Sequence, residues 1–327
     1  MSDPTRVIDD LRGESEELDR LVGELGEDDW RRPTPAPGWS VAHQIAHLAW
    51  TDRGALLAVT DPGAFQELAA KAAAAPGTFV DEGAEEGTGL PPGRLLARWR
   101  AGRAALEAAL RAAPPGVRFP WYGPPMSAAS MASARLMETW AHGQDVADAL
   151  GVVRAPTARL RHVVRIGVRA RDYAFRAHGL TPPAEEFRVE VTAPDGERWA
   201  YGPEDAAQRV TGPALDFCLL VTQRAHRADL AVRAEGPDAE RWLDVAQAFA
   251  GPPGAGRPPK GSAGPPQDVT RPPKEATRPP EKATRPPEKA THPPKSTTRP
   301  PENAAGPPQD ATRPPQDAPR PPKETPR

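Results

Sequence analysis

Glu138 and His142, in the stretch LMETWAHGQDVADAL, stand four residues apart, a spacing that puts both side chains on one face of a helix. A second histidine, His47, belongs to another predicted helix. Imidazole and carboxylate together form a ligand set suited to zinc or a similar divalent ion. Three such groups, if they converge, leave one coordination position open, which is the arrangement of a catalytic metal. Structural zinc is normally closed by four ligands, usually rich in cysteine. A Glu-x-x-x-His pair taken alone has a plainer default, a solvated helix face.

Four helices are expected to position these groups. The His47 helix runs over residues 41–58, entered through the proline-restricted segment PTPAPGW, capped by Ser40 and apolar along Ile45, Leu48 and Leu56. His43 lies one turn before His47 on the same face. The Glu138 helix spans residues 128–150, with Ser127 as its cap and Gly151 as its stop. Val7, Leu11, Leu18, Leu21, Val22 and Leu25 mark a first helix over residues 3–25. Leu95, Leu96, Trp99, Leu106 and Leu110 mark another over 92–112. Between them, residues 61–89 read as a loop region with a short alanine-rich helix over 65–75 and a Gly/Glu-rich run from Gly77 to Gly89. The segment PPGVRFPWYGPPMS before the Glu138 helix is held extended by its prolines.

The lead-in Gly38-Trp39-Ser40-Val41, the core Ala46-His47-Leu48-Ala49 with Asp52-Arg53 after it, and Glu138-x-x-x-His142-Gly-x-Asp145 together resemble the mycothiol-dependent maleylpyruvate isomerase-like proteins of the DinB superfamily. The resemblance covers residues 5–155. It implies an up-down four-helix bundle that holds a divalent metal, usually taken as zinc, through His47, Glu138 and His142. It also implies a low-molecular-weight thiol, mycothiol, as cofactor, and walls the metal pocket with the connection before the last helix. Trp121 and Tyr122 are therefore candidate pocket residues, their alternative being core packing, and with Arg135 they are the candidate cofactor-binding residues. Arg53 and Arg135 are candidates to hold a substrate carboxylate, their alternative being surface charge. His43 matches no ligand position and is read as a ligand, a substrate contact or a surface histidine. Asp145 either orients a ligand ring or is a plain helix-face charge. No catalytic residue is assigned, with His43 and Asp145 as the candidates.

Two functions follow. In the first, a metal-activated thiolate serves an isomerase or transferase acting on a small electrophile. The alternative is a non-catalytic protein of the same fold that binds metal or a small molecule.

The rest of the chain sets the frame. After Gly151 the expected order is a helix over 157–178, a strand over 187–192, a turn at Ala193-Pro-Asp-Gly196 and a strand over 197–201. A strand over 207–211, a helix over 212–223, a strand over 230–234 and a helix over 238–249 complete it. The fold class is thus α+β: a metal-binding bundle over 1–155, a small α+β domain over 156–250 with a general similarity to sterol-carrier-like domains, and a tail over 251–327. The tail holds 24 of the chain's 44 prolines and no aromatic residue, while all eight tryptophans precede it. From Ala263 to Thr325 it divides into nine seven-residue units, each with a Pro-Pro pair. Paired prolines forbid helix, so a disordered or polyproline II spacer is expected, with docking to a proline-recognising domain as the lesser reading.

Residues 1–250 carry 28 Lys and Arg against 36 Asp and Glu, a net charge of −8, and the tail carries 14 against 8, a net of +6. That mixture gives no case for a nucleic-acid partner. One cysteine, Cys218 in the run LDFCLLV, rules out an internal disulfide and reads as a buried hydrophobe. With no apolar N-terminal region and no stretch of ~20 apolar residues, neither export nor membrane insertion is expected, and a cytoplasmic location is.

Overall fold

The apolar stripe near the N-terminus forms α1 (Pro4–Val22), which turns Val7, Ile8, Leu11, Leu18 and Val22 inward. The computed structural model describes residues 4–251, 253, 254 and 256–262. The proline-rich repeat lies outside the described residues. A short helix that the sequence reading did not include, α2 (Glu27–Arg31), follows α1. α3 (Val41–Thr60) carries His47, and α4 (Pro62–Ala74) starts on Pro62 with the Asp61 side chain accepting from the Ala64 amide.

The Gly/Glu-rich run expected as loop is α5 (Phe79–Thr88). Its glycines explain why a poor helix former is helical here. A Cβ at Gly83 would stand 2.4 Å from Trp50 Cε2, and one at Gly87 2.7 Å from Ala46 Cβ, so their bare backbone lets α5 press directly on α3. Tertiary packing overrides the weak propensity.

α6 (Pro92–Ala112) buries Leu95, Leu96, Trp99, Leu106 and Leu110 as the stripe predicts. The proline-rich connection is not simply extended, because Arg118–Phe119 (β1) and Met126–Ser127 (β2) pair as a two-stranded antiparallel ribbon. α7 (Ala128–Leu150) then begins where Ser127 accepts from the Ser130 amide and ends at Gly151, whose φ of +68° favours a residue without a Cβ. α3 packs on α6 and α7, and α1 on α7 and α6, so the four long helices form the N-terminal region.

Beyond Gly151 the expected single helix is two, α8 (Leu160–Arg169) and α9 (Arg171–Ala177), turning at Ala170. A four-stranded mixed sheet follows, built from β3 (Phe187–Thr192), β4 (Arg198–Tyr201), β5 (Gln208–Pro213) and β6 (Arg233–Glu235) in the order β4-β3-β5-β6. β3 runs antiparallel to β4 and parallel to β5. The alternation in β3 puts Phe187, Val189 and Val191 inside, where Phe187 meets Trp242 of α11 (Pro237–Val245) edge-on at 5.7 Å. Cys218, on α10 (Ala214–Val221), is fully buried with Sγ 3.7 Å from the Leu160 carbonyl.

One apolar cluster runs from Val7 of α1 through Leu136 and Trp140 of α7 to Val189, Phe217 and Trp242. Charge joins the same parts: buried Glu14 of α1 is held by Arg154 and Arg159 from the connection after α7. The chain stays on this body past residue 250. Arg257 pairs with Asp145 and Asp148 of α7, and the Lys260 amide donates to Asp229 at 2.9 Å. Among the described residues no helix is long and apolar enough to cross a membrane.

Candidate metal centre

His47 from α3 and Glu138 and His142 from α7 meet inside the helical region, with donor atoms that lie within 4.8 Å of one another. The Glu138–His142 pair marked by its spacing and the His47 implied by the resemblance therefore converge. Glu138 Oε2 stands 3.2 Å from His142 Nε2 and 3.6 Å from His47 Nε2, and the two imidazoles are 4.4 Å apart. Both histidines are buried, while the Glu138 side chain keeps 22% exposure.

The ring of His142 is oriented by Gln44, a residue the sequence reading passed over. Gln44 Oε1 lies 2.6 Å from His142 Nδ1, in a fully buried position. Asp145, for which that role was one of two readings, stands 3.9 Å from the same nitrogen. Its oxygens belong to Arg224, at 2.9 Å, and to Arg257. The i, i+3 spacing put Asp145 beside His142 along α7, but the C-terminal arginines claimed it.

With Nδ1–H committed to Gln44, His142 presents a bare Nε2 lone pair to the Glu138 carboxylate. Two lone-pair atoms 3.2 Å apart repel unless a cation lies between them. A proton does not serve at neutral pH: burial, reinforced by the charges of His47 and Arg224, pushes His142 down to about 4. Burial works to raise Glu138, yet the charge of Arg135 and any proton carried between the carboxylate and the facing His142 and His47 rings hold it well below the ordinary carboxylate range. The set is one carboxylate with a neutral imidazole beside it, and it fits a divalent cation.

Trp39 covers this set. Its ring lies 5.2 Å from His47 and 5.9 Å from His142, the latter nearly parallel at 19°, and its Nε1 donates to Asp81 of α5 at 3.0 Å. Trp50 sits 6.1 Å from His47 as well. The lead-in Gly38-Trp39-Ser40-Val41 was visible as a motif; what its indole does was not.

The other candidates are placed elsewhere. His43 is outside the converging set: its Nδ1 accepts from the Ser40 amide at 3.2 Å, closing the cap of α3, and its Nε2 faces Glu85 at 3.0 Å. Arg135 is buried and spends its donors on Asp52 at 2.9 Å and Thr51 at 2.7 Å. Arg53 pairs with Glu86 on the surface. Trp121 stacks on Phe65 at 5.5 Å, and Tyr122 contacts Trp121, Phe65 and Phe79. Burial pushes the Tyr122 hydroxyl up to about 12 against the opposing charges of Arg135 and Arg53.

Residues 11–147, which contain all three candidate ligands, match the family model described as the mycothiol maleylpyruvate isomerase N-terminal domain. Two proteins of Mycobacterium tuberculosis, from two strains and both called uncharacterized, are 60% identical over 257 residues, covering 79% of this chain and 100% of theirs. The chain belongs to the mycothiol maleylpyruvate isomerase-like family. Its members here extend past that N-terminal domain, and residues 183–235, which hold β3 to β6, match a second model described as Wyosine base formation. Solved structures similar to this chain include the mycothiol-dependent maleylpyruvate isomerase and a point mutant of it. The identities are 18% and 17%, with TM-scores of 0.48 and 0.49, over 72% of this chain and 96% of theirs.

Proposed function

We propose that this protein is a metal-dependent isomerase or transferase that uses a low-molecular-weight thiol, mycothiol, on a small electrophilic substrate. His47, Glu138 and His142 hold the ion, for which zinc is the reading. The observation that carries it is the bare Nε2 of His142 against the Glu138 carboxylate at 3.2 Å, a pairing that asks for a cation. Membership in a family whose model is named for mycothiol maleylpyruvate isomerase supplies the thiol and the reaction class. A zinc ion there would lower the pKa of a bound thiol and present it as thiolate.

The chain's own residues do the remaining work. Gln44 holds His142 with its coordinating nitrogen bare. Trp39 shields both imidazoles from water on one side, leaving the Glu138 side for ligand entry. Arg135, three residues before Glu138, favours the ionised carboxylate from a fixed position on Asp52. Trp121 and Tyr122 are assigned to the wall that receives the thiol or the substrate, with Arg135 and Arg53 close enough for their charges to act on the Tyr122 hydroxyl. His43 and Asp145 act by position, the first capping α3 and the second anchoring C-terminal arginines. The compartment proposed is the cytoplasm, which keeps Cys218 reduced.

Metal analysis of the purified protein, combined with calorimetric titration of mycothiol and of glutathione into metal-loaded and metal-stripped samples, tests this. Binding of mycothiol that disappears with the metal is the expected result. A metal-loaded protein indifferent to both thiols would overturn the enzyme reading and favour a non-catalytic binding protein.

A further inference from the structure

The hydrogen-bond polarity of the candidate metal centre originates outside α3 and α7, at a backbone carbonyl in the proline-rich approach to α3. Residues 32–41 fold back on themselves. Pro33 and Ser40 form an antiparallel bridge, the Val41 amide donates to the Arg32 carbonyl at 3.1 Å, and the Trp39 amide donates to the Ala36 carbonyl at 3.0 Å. Gly38 turns the chain at φ +77°, and Pro33, Pro35 and Pro37 restrict the rest. Thr34 sits inside this clasp, buried, with its amide and its hydroxyl each 2.8 Å from the Trp39 carbonyl.

From that carbonyl each step admits one polarity. A carbonyl only accepts, so the Thr34 hydroxyl donates to it, and the Thr34 oxygen is left to accept from Gln44 Nε2 at 2.8 Å. The amide nitrogen of Gln44 is thereby turned toward Thr34, and its oxygen toward His142 Nδ1 at 2.6 Å. That oxygen also only accepts, so Nδ1 carries the hydrogen and Nε2 is bare. A flipped amide would set its oxygen against a Thr34 oxygen whose hydrogen is already used. Gln44 is fully buried, so solvent offers no substitute partner.

We infer that Thr34 is a positioning residue for the metal centre: its hydroxyl, locked to the Trp39 carbonyl, fixes the Gln44 amide and through it the Nδ1–H tautomer of His142. One tryptophan thus serves the site twice, by its carbonyl through three side chains and by its ring directly. His47 has no such support among the described residues, where its buried Nδ1 finds no hydrogen-bond partner. The consequence for metal affinity rests on the proposed metal-dependent function; the tautomer does not.

Two readings on the full-length protein test this. Long-range proton–nitrogen correlation spectra of the ¹⁵N-labelled, metal-stripped protein report the His142 tautomer, and competition with a chromophoric chelator reports zinc affinity. Wild type is expected to show a single Nδ1–H form. Thr34→Val, which keeps the shape and removes the hydroxyl, should show mixed tautomers and bind zinc about 10–100-fold more weakly. Gln44→Glu has an acceptor oxygen at both ends, so the double variant Thr34→Val with Gln44→Glu should regain one Nδ1–H form and most of the lost affinity. A merely structural threonine would not be rescued at its neighbour. A wild-type Nε2–H form, or a folded Thr34→Val with one tautomer and undiminished zinc affinity, overturns the inference. Wild type with the Nδ1–H form and no zinc uptake would overturn the metal reading and leave the relay in place.

Discussion

Glu138 and His142 each supply one of three donors, so Glu138→Ala or His142→Ala is expected to remove most bound metal, measured by elemental analysis after gel filtration. Asp145→Asn should retain it, because the His142 ring is bonded to Gln44 and Asp145 stands 3.9 Å away. Metal loss as complete as in His142→Ala would return Asp145 to the coordination sphere. Acid should unsettle the metal-free protein in a defined window. His142 ionises at about 4 in the fold against 6.5 ordinarily, so between those values the unfolded chain takes up a proton that the fold refuses. The stability tied to this histidine is complete above the upper value and is lost as pH falls toward the lower one. Glu138, held low, adds its own loss further down. Melting curves of stripped protein should decline over that window, and less steeply in His142→Phe. The candidate ligands were legible because Glu138 and His142 stand one turn apart and the family resemblance added His47 to them. Gln44, Thr34 and Trp39 were not, since an amide, a hydroxyl or an indole acquires its role from what it faces, and the two readings of Asp145 stayed open because its partners Arg224 and Arg257 are far off in sequence.

α5 supplies a prediction whose sign is diagnostic. Replacing a helical glycine by alanine ordinarily stabilises by about 1 kcal/mol. At Gly83 the new methyl would meet three Trp50 ring atoms at 2.4–2.8 Å, so Gly83→Ala is expected to destabilise, by about 1–3 kcal/mol in a denaturant titration. A gain in stability would mean that α5 rides more loosely on α3. The displaced ring is also the one beside His47, so any divalent-metal affinity of the proposed centre should fall in the same variant. The long helices α1, α3, α6 and α7 could be read from apolar stripes and caps, because each buries a wide face over many turns. α5 could not, since its burial depends on glycines that count against helix in every local scale. The β1–β2 ribbon was hidden for a related reason: two residues per strand leave no period to detect.

At the scale of the molecule, the helical region and the sheet share one apolar cluster and are cross-linked by Arg154 and Arg159 on Glu14 and by Arg224 and Arg257 on Asp145. Composition placed the end of the body at residue 250, where proline begins to dominate. It could not show that Arg257, inside the proline-rich stretch, returns to α7. Truncation after Ser262 is therefore expected to leave melting temperature and metal uptake unchanged. Truncation after Pro253 also removes Arg257 and should cost about 1–2 kcal/mol, or a few degrees in a thermal scan. Equal melting of the two truncated proteins would show that the Arg257 contact contributes nothing measurable. The relatives from Mycobacterium tuberculosis are covered end to end by 79% of this chain, so about a fifth of it has no counterpart in them.

Cys218 carries the chain's one sulfhydryl, shut inside the sheet region against the Leu160 carbonyl, with burial pushing its thiol well above the ordinary range. In the native state it is chemically silent toward alkylating and disulfide-exchange reagents, which attack thiolates. A colorimetric thiol reagent added to the folded protein with mycothiol is therefore expected to count the added thiol alone, without background from the polypeptide. On warming, the first uptake of that reagent by the polypeptide marks the moment the sheet region opens, giving a clock for its unfolding that needs no label.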